Sequence, residues 1–336
     1  MRFDRGTEIQ MKRYVRTVLG DIPAEEIGVT DAHDHLIRSG GPEIKLDINF
    51  LMDDVNAGKK EFGSYLKAGG RTMVCMDPIG CGRNVPKMLE IAESFRGSGN
   101  IIMTTGFQKG SNYDPRTSFL ATVSVEKIAE MMALEIEEGM DIHSYNGPVV
   151  ERVKAKAGLI KAGTSYRLIS KLEEKAIQVA ALTQKMTGCP ISFHTDYGTM
   201  GLEIVKILKE NGADLTHTVL CHVQRNPDRR YYERLLDTGI NLCFEESNKA
   251  QYRPDTEIAE NMCWLADKGY KDQLLLGVDG GRKEALAAYM EPQGRAYGLD
   301  YMLTDFVPTL KYCGASDETL KTILEVNPGR IFSIWK

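Results

Sequence analysis

Eight short β-branched and apolar runs recur along the chain, and almost every one is followed by a stretch with helical periodicity. The runs fall at about residues 28–32, 72–76, 101–105, 158–160, 191–193, 218–221, 241–244 and 274–278. Continuous apolar runs of this length suit parallel strands covered on both faces. One helical stretch opens at Ser124 as N-cap, carries Val125, Ile128, Ala129, Met132 and Ile136 on one face, and stops at Gly139. A second runs from Leu172 through Ala176, Val179 and Ala180 to Gly188, and a third carries Leu202, Val205 and Leu208 before Gly212. Strand followed by helix, eight times over, predicts an α/β fold of the (β/α)8 TIM barrel kind, built as a single domain over 12–336. Residues 1–11 carry no periodic pattern and read as a peripheral N-terminal extension. The polar connection 141–156, with Asn146-Gly147-Pro148 as a turn signal, reads as a surface excursion.

A barrel gathers its working residues at the C-terminal ends of its strands. Here six residues follow the apolar runs: His33, His35, Lys161, His194, His222 and Asp279. Four of the six histidines in the chain belong to this set. In His33-Asp34-His35 the two imidazoles stand two residues apart, so on an extended strand they face one side and can reach one metal. Taken singly, His194 and His222 are as well explained as core or loop histidines, and Asp279 as the cap of a Gly-Gly turn. Together at the ends of neighbouring strands they compose a donor set for a divalent-metal hydrolase.

Lys161 discriminates among such sites. An ammonium would repel two divalent cations, so a cationic lysine has no place in the cluster. A desolvated neutral amine can add carbon dioxide and become N6-carboxylysine, an anionic ligand able to bridge two metals. Two divalent ions against that carbamate, the Asp279 carboxylate and a bridging hydroxide leave about one positive charge. That charge polarises a carbonyl or phosphoryl oxygen, with the shared hydroxide as nucleophile. The nitrogen and oxygen ligands suit zinc first, and manganese or cobalt also fit. The plainer alternative for Lys161 is a salt bridge at the rim.

The set in this order, with Gly28-Val29-Thr30 before the histidine pair and Val15-Arg16-Thr17-Val18-Leu19-Gly20-Asp21 upstream, resembles the phosphotriesterase-related family of the amidohydrolase superfamily. The resemblance runs from about Lys12 to the C-terminus. The family's usual Glu between its histidines is Asp34 here. The resemblance implies that His33, His35 and Asp279 hold the more buried metal, that His194 and His222 hold the more exposed one, and that carboxylated Lys161 bridges them. Asp279 would also be the catalytic residue that takes the nucleophile's proton. Lys249 and Arg282, at the expected mouth, resemble the anion-binding residues of the subgroup that opens phosphorylated furanose lactones. His222-Val-Gln-Arg225-Asn-Pro-Asp228 and Tyr297-Gly298-Leu299 point the same way. That subgroup carries a Tyr three residues after the arginine, where this chain has Ala285, with Tyr289 one turn on as a substitute.

The expected function is therefore a lactonase acting on a phosphorylated or otherwise anionic sugar lactone. The alternatives are an N-acyl amine, carboxylic ester or phosphotriester hydrolase using the same site, and a metal-containing binding protein that turns nothing over. A net charge of −5 and a pI near 5.8 argue against nucleic acid or an acidic membrane surface as partner. No apolar run approaches the ~18 residues of a membrane span. Seven scattered cysteines read as reduced thiols of a cytoplasmic protein. The partner is a small-molecule substrate, and a homodimer is the common default for such enzymes.

Overall fold

The computed structural model describes residues 13–290 and 297–335, so the expected extension over 1–11 lies outside the described residues. Eight strands run parallel: β3 (Thr30–Asp34), β4 (Thr72–Cys75), β5 (Asn100–Gly106), β6 (Leu159–Thr164), β7 (Ile191–Thr195), β8 (Thr218–Cys221), β9 (Asn241–Phe244) and β10 (Leu274–Leu276). They pair in sequence order from β3 to β10, with helices in the connections. The barrel nearly closes where its first and last strands meet. There the Asp279 N–H donates to the His33 carbonyl at 2.8 Å, and the Gly280 N–H donates to Asp34 Oδ1 at 2.9 Å. Gly277 permits this approach, because a Cβ there would lie 2.9 Å from the His33 nitrogen. The expected (β/α)8 architecture is the one found.

Alternation along the strands divides the core in two. Leu159, Val219, Cys221 and Leu275 fill the barrel interior, while Ile160, Ala162, Leu220 and Leu274 face the helical shell. Lys161 follows Leu159 by two residues and therefore points inward. Helix Val125–Glu137 begins at Ser124, whose hydroxyl accepts the Lys127 N–H at 3.3 Å, and it buries Ile128, Ala129, Met132 and Ile136 as its spacing requires. Helix Lys171–Thr187 opens with a capping box between Ser170 and Glu173 and ends on Gly188 at φ 70°. Caps of this kind contribute about 1 kcal/mol each.

Two expectations change. The apolar runs do not mark the strand ends: β6 continues through Thr164, so Lys161 is its third residue, and His33 and His194 lie inside β3 and β7. Polar residues past the apolar run continue the pairing because their backbone groups still need partners. A second, antiparallel sheet was not foreseen. It joins β1 (Tyr14–Thr17), β2 (Gly20–Pro23) and β11 (Ser333–Ile334) in the order β11-β1-β2. Val15, Ile331 and Phe332 from this region pack into the barrel interior with Leu159 and Val219, which short strands of mixed polarity did not advertise. The excursion over 141–156 is pinned at its base. The buried Asp141 carboxylate accepts the Tyr145 and Glu151 N–H groups, each at 2.8 Å.

Gly106 is the residue of β5 beside Lys161. Its φ is +103°, and a Cβ would lie 2.1 Å from the Lys161 carbonyl oxygen. Gly106→Ala is expected to destabilise the fold by about 2–4 kcal/mol, from backbone strain and overpacking together. Urea unfolding measures it, and an unchanged midpoint would show that β5 moves aside without cost.

Candidate metal centre

At the C-terminal ends of the strands lies a cavity of about 400 Å³, and His33, His35, His194, His222 and Asp279 all line it. His33 and His35 present Nε2 to the same carboxylate oxygen, Asp279 Oδ1, at 3.7 and 3.4 Å. Ligand atoms of His33, His35 and Asp279 lie within 4.8 Å of one another, and so do those of His222, Glu246 and Asp279. These two groups share Asp279, and a third, of His33, Cys221 and Glu245, shares His33 with the first. His194 stands outside both: its ring centroid is 4.5 Å from that of His222, and its Nε2 meets Asp196 Oδ1 at 2.9 Å.

The backbone is bent to make this grouping. His222, Glu246 and Asp279, just past β8, β9 and β10, take φ of 63°, 65° and 55°. Left-handed conformations in non-glycine residues cost of order 1–3 kcal/mol each and persist only where neighbours hold them. Here the His222 N–H is held by Glu245 Oε1 at 2.7 Å and the Glu246 N–H by the Val278 carbonyl at 3.2 Å. The Asp279 N–H is fixed by the seam bond to His33.

The electrostatics leave the donors ready for cations. Burial, and then the charge of Lys161, lower His33 to about 4. Burial and the neighbouring His194 push His222 well below its usual range. For Asp279 burial works upward, but Lys249, His35 and His33 outweigh it and keep the carboxyl well below its ordinary value. At neutral pH the site therefore offers two imidazole lone pairs and an anion without having to release their protons. His35 is held differently. Burial is the largest influence and lowers it, but Asp77, with Oδ2 2.8 Å from His35 Nδ1, and Asp279 together raise it above its ordinary value. Arg38 grips the other Asp77 oxygen at 2.6 Å.

Lys161 supplies the test of fit. The residue is 2% exposed, and Nζ has no hydrogen-bond partner among the described residues. An ammonium left so is costly. A carbamate on that nitrogen would be anionic and would turn two acceptor oxygens toward ligands. Lys161 does not itself line the cavity, but it lies near enough to His33 to influence that ring, and a carbamate there would add to the donors of His33, His35, His222 and Asp279 in a set that fits divalent cations.

Lys249 and Arg282 both line the cavity, in different ways. Lys249 does not project freely. Its Nζ donates to the Asp279 carbonyl and lies 3.3 Å from Asp279 Oδ2. Arg282 is 41% exposed in its side chain, pairs with Asp47 at 3.1 Å, and lies 4.5 Å above the Phe50 ring. Tyr289 does not take the place of the missing tyrosine. Its hydroxyl receives the Asp54 N–H at 3.2 Å and it does not line the cavity, whereas Tyr252, Tyr297 and Tyr301 do. Sequence reasoning missed Asp77 and Glu246, and it named Arg225 within a motif without giving it a role. Arg225 binds Glu246 through Nε at 2.7 Å and lies 3.9 Å over the Tyr252 ring. Asp77 and Glu246 obey the strand-end rule that found the histidines, so that rule applied to acids would have found both.

The model of the phosphotriesterase family matches residues 13–332 of this chain. A phospho-furanose lactonase of Mycoplasmopsis synoviae is 48% identical over 96% of this chain and 92% of its own length. The solved structure of an amidohydrolase from Mycoplasma synoviae superposes with a TM-score of 0.94 at 47% identity, covering 96% of this chain and 92% of that one. A lactonase from Listeria monocytogenes gives a TM-score of 0.87 at 27% identity over 96% of this chain and 100% of that one. With its barrel, its strand-end donors and these relatives in agreement, the chain belongs to the phosphotriesterase family.

Proposed function

We propose that this protein is a metal-dependent lactonase that opens a phosphorylated furanose lactone to its hydroxy acid. The observation that carries the hydrolase reading is the double membership of Asp279 in two groups of metal-ligating atoms. The substrate reading rests on Lys249 and Arg282 at the cavity wall and on the relatives named for that activity. His33, His35 and Asp279 would hold one cation, and His194 and His222 the other, with carboxylated Lys161 between them. Bound divalent ions, zinc or else manganese or cobalt, would supply polarisation of the lactone carbonyl and acidification of water.

The residues of the chain do the rest. Asp279 takes a proton from the attacking water as the new carbon–oxygen bond forms. The ring carbon–oxygen bond then breaks, and Asp279 returns the proton to the departing ring oxygen, which becomes the free hydroxyl. Arg282 offers its guanidinium to the substrate phosphate, exchanging the half-buried Asp47 for a more highly charged partner. Lys249, anchored on Asp279, adds a second positive charge to the wall. The seven free thiols support a reducing compartment such as the cytoplasm.

Metal analysis of the purified protein together with hydrolysis of a lactone panel tests the reading. Two ions per chain and a preference for phosphorylated furanose lactones are expected; turnover of N-acyl amines alone would overturn it. Arg282→Ala is expected to raise KM about 10–100-fold for a phosphorylated lactone, the loss of one charge-assisted contact, and to leave a neutral lactone nearly unchanged. Equal losses on both substrates would make Arg282 structural.

A further inference from the structure

Glu245, the first residue past β9, is a fully buried carboxylate with no Lys or Arg ion pair among the described residues. Its Oε1 lies 2.8 Å from His222 Nδ1 and 3.5 Å from His33 Nδ1. The same oxygen accepts the His222 backbone N–H at 2.7 Å. Both Nδ1 atoms and Glu245 Oε2 lack an aligned hydrogen-bond partner among the described residues, so the cluster holds two possible donors and one acceptor that complement one another. An acid buried without a cation is unfavourable unless positive charge reaches it from elsewhere. The rings it faces are those of His33 and His222, one from each of the two groups that share Asp279, and with His33 and Cys221 Glu245 forms a third group that lacks that carboxylate.

We propose that Glu245 is a positioning residue common to both metals of the proposed site. It would hold the proton of each ring on Nδ1, keep each Nε2 as a lone pair aimed at its own ion, and gain through the imidazoles the positive charge its burial requires. Asp77 is the contrasting case. It backs His35 alone, at 2.8 Å, and so serves a single ion. The inference rests on the metal reading above, and its test separates the two.

Metal-stripped full-length protein is titrated with Zn²⁺ against a chromophoric chelator, and the melting temperature of the stripped form is recorded alongside. Wild type takes up two ions. Glu245→Gln keeps the shape and the acceptor for the His222 N–H but loses the charge. It is expected to weaken both sites about 10–100-fold while the stripped protein melts no lower than wild type. Asp77→Asn is expected to weaken one site by the same factor. Glu245→Asp, which keeps the charge, recovers part of the affinity and serves as the second variant if the glutamine form fails to fold. Unchanged affinity in Glu245→Gln, loss at one site only, or a lower melting temperature of its stripped form with affinity intact would overturn the inference. A wild-type protein that binds no metal would overturn the metal reading and this inference with it.

Discussion

Lys161→Ala is expected to lower lactone turnover by at least about 10³-fold, which corresponds to roughly 4 kcal/mol of lost transition-state stabilisation. Lys161 is buried near His33 with no hydrogen-bond partner for its nitrogen among the described residues, so its side chain serves no evident structural purpose as an ammonium. Alanine would remove the proposed anionic bridge and leave space on the inner face of β6. Metal content should fall below two ions per chain. Short carboxylic acids such as acetate or propionate, which can occupy that space with two oxygens, should restore part of the turnover. Relieving an unpaired buried amine should also leave the metal-free variant at least as stable as wild type. Full activity without added acid would rule out the carbamate.

Asp279→Asn should be of similar size, and it separates two roles of one residue. The amide keeps an oxygen near His33 and His35 but loses the charge that both groups of ligating atoms share and the ability to carry a proton. Weaker metal binding reports the first role. After the variant is reloaded to two ions per chain, the remaining loss in kcat reports the second, expected at about 10²–10⁴-fold. Lys249, which contacts the Asp279 carboxylate at 3.3 Å, would then face an uncharged partner. KM for an anionic substrate should not rise, since that ammonium becomes free to meet it. A reloaded variant with kcat within tenfold of wild type would remove Asp279 from proton transfer.

The barrel and the histidines were legible in the sequence for a common reason. Parallel strands buried on both faces must be apolar throughout, so a His or Asp at the end of such a run stands out against it. The rest was hidden by the same physics. Lys161 reads as the residue after a strand because its side chain is polar, yet backbone pairing carries β6 on to Thr164. Asp77 and Glu245 act through histidines that are distant in the chain, and no local pattern marks a carboxylate as the partner of a ring some forty residues away in one case and more than twenty in the other. Lys249 was read as a free cation at the mouth; its contact with Asp279 depends on how the connections after β9 and β10 fold over one another. The small sheet was invisible because its strands are short and of mixed polarity, and β1 takes one of its two partners from the other end of the chain.

The seam between the first and last barrel strands gives the assembly an order of events. Asp279 holds its left-handed backbone with its amide donating to the carbonyl of His33, so one bond ties the end of the barrel to its beginning. Nascent or truncated chains ending before that strand lack both the shared carboxylate and the closure that aims it. Long-range pairings of this sort form late and slowly. Uptake of two ions would thus certify a finished molecule, and chemistry would be withheld from every unfinished one.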